Sequence, residues 1–329
     1  MSNEPITTVD YHTAGEPFRI VTGGVEPLRG ATILDKRRDA AERLDHLRRL
    51  LVFEPRGHAD MYGCFVTEPN DDGADLGVVF FHNEGYSTAC GHGTIALVTW
   101  ALESGRIEPS EPETRVVVDV PSGRLECVAR CGAGRVESVR FRNVPAFVLA
   151  RDLELGGRTI DVAFGGAFYA SVDAPAHGLA VEARRLPELI ALQRELRPAI
   201  ERELDVVHPL EPELHGIYGV IFFQPENGNP LTQRNVTVFA DGEVDRSPCG
   251  SGTSARLALL HARGELDRGG ELRHLGIVDT EFRGRIVETA AVAGRPAVVT
   301  EVEGSAHLTG RHEFVLAEDD PLGPGFLLR

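Results

Sequence analysis

Short apolar runs bounded by Gly, Pro, Asn or Asp set the rhythm of most of this chain, and they predict strands. Val78-Val79-Phe80-Phe81, Arg115–Val120, Leu125–Arg130, Val136–Arg142, Val236–Phe239 and Ala297–Val302 all have this form. Helical periodicity is rarer. Asp35–Leu51 is charged, with leucines at 44, 47, 50 and 51, and Pro187–Leu204 carries Leu189, Leu192, Leu196 and Ile200 on one stripe. That spacing predicts two helices with apolar faces turned to a core, the second bent or ended at Pro198. Gly123-Arg124-Leu125 and Gly284-Arg285-Ile286 read as repeated turns.

Two further helices are predicted by a repeated motif. Cys-Gly-x-Gly-Thr-x-Ala occurs as Cys90–Ala96 and again as Cys249–Ala255. Each copy follows an apolar strand (Val78–Phe81, Val236–Phe239), and each helix-forming stretch after it closes on a glycine, Gly105 or Gly264. The chain of 329 residues therefore reads as two related halves with one motif cysteine apiece.

A cysteine at a helix amino end sits beside N–H groups that have no partner within the helix, so its thiolate is expected to be favoured. The N–H groups of Gly91, His92, Gly250 and Ser251 could hold a carboxylate. Two thiols facing each other across a cleft can remove a proton from one side of a carbon and return one on the other. That is racemisation or epimerisation without a cofactor. Cys64, Cys127 and Cys131 have no such setting and are expected to be core or surface residues. With no Cys-x-x-Cys and no Cys/His cluster, thiol-redox and metal-binding readings fall away.

Four ordered segments carry a resemblance to a known family: Val9–Val21, Glu54–Met61, Ala89–Thr94 and Asp245–Thr253. On these the chain resembles the proline racemase family, which contains proline racemases, hydroxyproline 2-epimerases and trans-3-hydroxyproline dehydratases. The resemblance implies an α/β fold like that of diaminopimelate epimerase: two pseudo-symmetric halves, each a curved sheet around a central helix, with the active site between them. It sets the halves at 1–125 plus 305–329 and at 126–304. It makes Cys90 and Cys249 the acid/base pair, has Gly91, His92, Gly250 and Ser251 contact the substrate carboxylate, and has Asp245 meet the ring nitrogen. Whether the His92 side chain takes part stays open. His12, Glu16 and Arg19 are expected to be scaffold, with Glu16 and Arg19 fixing a turn. Because the family's dehydratases typically carry threonine at the second cysteine position, Cys249 favours the two-base reaction, and Gly91-His92-Gly93 resembles the hydroxyproline-acting members, so a 4-hydroxyproline 2-epimerase is expected, with proline itself close behind as substrate. Pro55–His58 and His82–Ser87 resemble the dehydratase branch instead, which keeps trans-3-hydroxyproline dehydration as the alternative.

Composition narrows the partners. With 42% hydrophobic and 26% charged residues the chain is an ordinary globular one, and its net charge of −16 argues against nucleic acid and anionic membranes. No targeting leader or run of eighteen apolar residues is seen, and five cysteines, an odd number, fit a reducing cytoplasm. The expected partner is a small amino or imino acid; no metal or cofactor is called for, and a homodimer is left open.

Overall fold

The computed structural model describes residues 5–328. Two compact units make up the chain: one holds the residues up to Val139 together with those from Ser305 onward, and the other is Arg140–Gly304. The first unit starts with a hairpin, β1 (Ile6–Thr13) and β2 (Glu16–Gly23), turned by Ala14 and Gly15, both at positive φ. Next come α1 (Ile33–Arg43) and α2 (Asp45–Val52), then β3 (Tyr62–Thr67), parallel to β2, and β4 (Leu76–His82), antiparallel to β3. After α3 (Gly91–Glu103), β5 (Glu113–Val120) runs parallel to β4, and β6 (Gly123–Gly132) pairs antiparallel with β5. The crossing to the second unit lies within β7 (Arg135–Arg142), not at 125/126 as expected. The reason is that β6 pairs with β5 from Gly123 to Arg130 and so stays with the first unit.

In the second unit β8 (Ala146–Leu155), β9 (Arg158–Phe164) and β10 (Phe168–Asp173) form an antiparallel run. Then follow α4 (Leu186–Glu203), β11 (Ile217–Glu226), β12 (Asn229–Phe239), the short β13 (Glu243–Asp245) and α5 (Gly250–Ala262). Strands β14 (Glu271–Leu275), β15 (Glu281–Val292) and β16 (Arg295–Gly304) close the unit. The chain then returns: β17 (Ala306–Phe314) pairs antiparallel with β1 and completes the first unit.

One helix is central to each unit. In α3 every residue from Gly91 to Leu102 is buried, and in α5 every residue from Gly250 to Leu260. A helix without a polar face has to be enclosed, and strands enclose both. Gly105 and Gly264, just past the two ends, sit at φ 72° and 71°, the left-handed conformation that stops a helix. The Leu189, Leu192, Leu196 and Ile200 stripe of α4 packs on Phe164, Phe168, Phe222 and Val236; burial of each such side chain contributes roughly 1.5–3 kcal/mol.

Several expectations give way here. The helix predicted over 35–51 is two helices, broken at Leu44, where φ −115° and ψ 10° leave the helical region. The break lets Arg48 turn inward, where its guanidinium donates to the His82 and Asn83 carbonyls. Helix α4 runs through Pro198 to Glu203. Gly284 is not in a turn but in mid-strand, because a Cβ there would lie 2.7 Å from Thr253 Cγ2 and 2.9 Å from Leu257 Cδ1 of α5. Arg19 pairs with Asp10 rather than Glu16, at 2.7 Å, since the hairpin register sets those two residues opposite each other.

Candidate active site

Each motif cysteine is the N-cap of its central helix, and each is buried. The helical ladders begin at Thr94 N–H to the Cys90 carbonyl (2.9 Å) and Thr253 N–H to the Cys249 carbonyl (2.7 Å). The N–H groups of Gly91, His92, Gly250 and Ser251 thus precede the intrahelical bonding, as expected of a carboxylate-binding end. Between β12 and α5 the chain adds β13, an element the sequence pattern does not reveal.

The second glycine of each motif has a steric reason. A Cβ on Gly93 would lie 2.7 Å from Cys90 Sγ and 2.4 Å from Phe18 Cε2. A Cβ on Gly252 would lie 2.9 Å from Cys249 Sγ and 3.1 Å from Ile221 Cδ1. Both sulfurs are thus seated against a bare backbone, and any larger residue would push them away. Gly93 also donates its N–H to Cys90 Sγ at 3.3 Å.

Around Cys90 the first unit builds an aromatic frame. His92 Nε2 and Nδ1 lie 3.5 and 3.6 Å from Cys90 Sγ. The imidazole is held edge-on by Phe18 (5.6 Å between centroids) and Tyr62 (5.0 Å), and the His92 carbonyl accepts from Thr13 Oγ1 at 2.9 Å. The His92 side chain is therefore in contact with the thiol, a role the sequence left open. Tyr62 in turn hydrogen-bonds Ser87. Asn83 fastens the same segment to the 54–61 loop: its Nδ2 donates to the Val52 carbonyl (2.8 Å) and its Oδ1 accepts from Met61 N–H (3.0 Å). The β1–β2 hairpin, the 54–61 loop with Tyr62, and the 82–87 segment are thus one connected support for His92 and Cys90.

The Cys249 setting differs. Its backbone has φ 62°, a left-handed conformation that a residue with a Cβ adopts at a cost of about 1–3 kcal/mol and that tends to occur at functional positions. Its N–H donates to Ser247 Oγ (3.1 Å), and Ser247 N–H donates to Asp245 Oδ1 (2.8 Å), so Asp245, Ser247 and Cys249 form a short relay. Burial pushes the Cys249 thiol up to about 12, and the neighbouring Asp245 carboxylate pushes the same way; hydrogen bonds from Tyr169, Gly252 and Thr237 oppose them. This corrects the expectation of a favoured thiolate at Cys249: loss of hydration outweighs the helix end. Asp245 is itself pushed up to about 6 by burial, against hydrogen bonds from Ser247 and Cys249. A cation arriving beside it would reverse that penalty.

Tyr169 and Ser247 escaped the sequence reading. Tyr169, on β10, is buried, with its hydroxyl 3.7 Å from Cys249 Sγ and 2.6 Å from Ser251 Oγ. It lies 80 positions from the cysteine within an ordinary apolar strand, so no local signal marks it. Ser247 stands two residues before the cysteine and could have been found as a turn-forming hydroxyl. Cys64, Cys127 and Cys131 are free and buried, and burial raises the first two well above the usual thiol range.

A two-unit α/β enzyme with a thiol capping the buried helix of each unit is the class that fold and site define. Comparison with known proteins gives it a family. The family model described as proline racemase matches residues 8–327, and the chain belongs to the proline racemase family. It is 47% identical over 326 residues to a trans-3-hydroxy-L-proline dehydratase of Bacillus thuringiensis subsp. konkukian, covering 98% of each chain. It is also 47% identical over 329 residues to a 3-hydroxyproline 2-epimerase of Burkholderia multivorans, again covering 98% of each. A crystal structure of a hydroxyproline epimerase from Agrobacterium vitis, with bound trans-4-hydroxy-L-proline, superposes with a TM-score of 0.93 at 33% identity, over 99% of this chain and 96% of that one. A phenazine biosynthesis protein of the PhzF family from Bacillus anthracis shares the fold alone, with a TM-score of 0.61 at 13% identity.

Proposed function

We propose that this enzyme acts on the α-carbon of trans-3-hydroxy-L-proline, using Cys90 as base and Cys249 as acid, without a cofactor, and that loss of water is its main outcome. The observation that carries the reading is the placement of one buried thiol at the amino end of each central helix; burial pushes Cys249 up to about 12, which suits it to hold a proton at neutral pH rather than to act as the base. Cys90, beside the His92 imidazole, takes the α-proton. The electron pair left on the α-carbon forms the double bond to C3 while the C3–oxygen bond breaks, and the Cys249 proton leaves with the hydroxide as water. The enamine then tautomerises to a cyclic imine. The helix-end N–H groups bind the carboxylate, and Asp245, held near 6, gains the ring ammonium as its counter-ion. The substrate is chosen because the 46–47% identical relatives include several trans-3-hydroxy-L-proline dehydratases and a 3-hydroxyproline 2-epimerase.

The second reading is inversion of a hydroxyproline, favoured by Cys249 itself, since a thiol in that place can return its proton to the α-carbon instead of to the leaving oxygen. Both reactions begin with the same proton removal. The enzyme is read as cytoplasmic, which suits five free thiols, and as acting on small molecules alone. The test is incubation with trans-3-hydroxy-L-proline, trans-4-hydroxy-L-proline and L-proline in D₂O, following imine formation and the α-proton. Imine from the 3-hydroxy substrate is expected. Inversion of the 4-hydroxy substrate without imine would replace the first reading by the second, and neither signal would end both.

A further inference from the structure

We infer that Tyr169 is the positioning residue of the Cys249 thiol: its hydroxyl accepts the S–H in the resting state and turns to donate to the sulfur once the proton has left. The geometry is a chain of three atoms. Cys249 Sγ lies 3.7 Å from Tyr169 Oη, and Oη lies 2.6 Å from Ser251 Oγ, all buried. A phenol has one proton and can also accept, so it can serve either neighbour. With the thiol intact, the S–H points to Oη and the phenolic proton goes to Ser251. When Cys249 gives its proton to the substrate, the phenolic O–H swings to donate to the thiolate and the Ser251 hydroxyl, keeping its proton, turns to donate a hydrogen bond to Oη. No net proton is exchanged with the tyrosine. The ring cannot follow the motion, because it meets Tyr218 edge-on at 5.7 Å and Tyr218 stacks on Phe239 at 5.3 Å. Only the hydroxyl rotates.

The other groups that face the sulfur cannot substitute. The Asp245 carboxylate opposes a thiolate, while the Gly252 N–H and the Thr237 hydroxyl assist it from the helix and from β12. Tyr169 alone among these bonds a second side chain of the same helix turn, which ties the position of Cys249 to that of Ser251.

The inference rests on the reading of Cys249 as an acid, so the test has an arm that does not. In Tyr169→Phe the ring and its stacking remain and the hydroxyl is lost. Alkylation by iodoacetamide at pH 9, read by mass spectrometry at Cys249 with Cys90 as internal reference, is expected to slow about tenfold, the equivalent of one unit in thiol acidity. Turnover of trans-3-hydroxy-L-proline should fall on the order of 100-fold with KM held within about twofold. Ser251→Ala frees the phenolic proton for the sulfur, so there Cys249 alkylation should not slow. An unchanged alkylation ratio in Tyr169→Phe, whatever happens to turnover, overturns the inference, as does equal slowing in both variants. A slowed ratio with normal turnover upholds the role of Tyr169 and instead removes Cys249 from the reaction.

Discussion

Replacing Asp245 by asparagine should make the protein more stable at alkaline pH while abolishing turnover. The carboxyl is buried, and burial holds it near 6, against an ordinary value of about 4. The unfolded chain therefore loses this proton at about pH 4 and the folded chain at about 6, so across that window the folded state holds more protons. Stability from this group is present below about pH 4 and is lost as pH rises to 6; the difference of about two pH units amounts to about 3 kcal/mol. Asparagine does not ionise, and its Oδ1 can still accept from Ser247 N–H, which now reaches Asp245 Oδ1 at 2.8 Å. The new amide N–H₂ costs roughly 1–3 kcal/mol if left without an acceptor, but that cost is the same at every pH. The robust quantity is the change with pH: relative to the parent, the variant should gain about 2 kcal/mol between pH 4.5 and pH 8, because part of the penalty is already present at the lower pH. Urea unfolding followed by circular dichroism at the two pH values measures it. A difference between variant and parent that stays within about 1 kcal/mol across that range would refute the argument, because it would mean that the carboxylate is not penalised in the fold.

Gly93→Ala should cost activity rather than fold: alanine gains about 1 kcal/mol of helix propensity, overpacking against Phe18 and the sulfur costs about 1–3 kcal/mol, and a shift of Cys90 Sγ by about 1 Å loses about 100-fold in turnover, measurable by steady-state kinetics beside thermal melting. Cys249→Thr should abolish inversion of any substrate and leave α-deuterium exchange from D₂O through Cys90; continued inversion of 4-hydroxyproline would remove Cys249 from the site. Arg19→Met should destabilise by about 3–5 kcal/mol, because it removes the guanidinium from the buried Asp10 carboxylate and from the Leu51 and Arg56 carbonyls; a denaturant midpoint equal to that of the parent would contradict it. Substrate binding should weaken below about pH 6, where Asp245 takes up a proton and loses its attraction for an ammonium, and a KM independent of pH from 5 to 8 would argue against that contact.

What could be read from the sequence was what local chemistry determines. The cysteine caps, the buried helices and their glycine stops lie within fifteen residues of each motif, and the structure has them where the pattern put them. The Arg19 partner was legible too, had the turn been used: with Ala14-Gly15 as the two turn residues, Thr13 faces Glu16 and Asp10 faces Arg19. Tyr169 was not legible, because its place beside Cys249 depends on β10 and α5 meeting in space. Nor was the protonated state of Cys249, since a helix end argues one way and complete burial the other, and only the packed structure says how deeply the sulfur lies. The boundary at 139/140 was missed because the pairing of β6 with β5 extends the first unit beyond the apparent composition break.

The late return of β17 to β1 has a consequence for how the protein is made. The second unit is one unbroken stretch, Arg140–Gly304, whereas the first lacks a strand until residues 306–314 have been synthesised. A ribosome delivering the chain from its amino end therefore presents β1 with one side unpaired throughout the synthesis of 165 intervening residues (304 − 140 + 1). The Cys249 unit can finish folding while the Cys90 unit is still waiting, and the order in which the two thiols become buried is the reverse of their order in the chain. A released chain ending at Gly304 should accordingly show Cys249 protected and Cys90 open to alkylation, with protection of Cys90 arriving only when residues 306–314 are present.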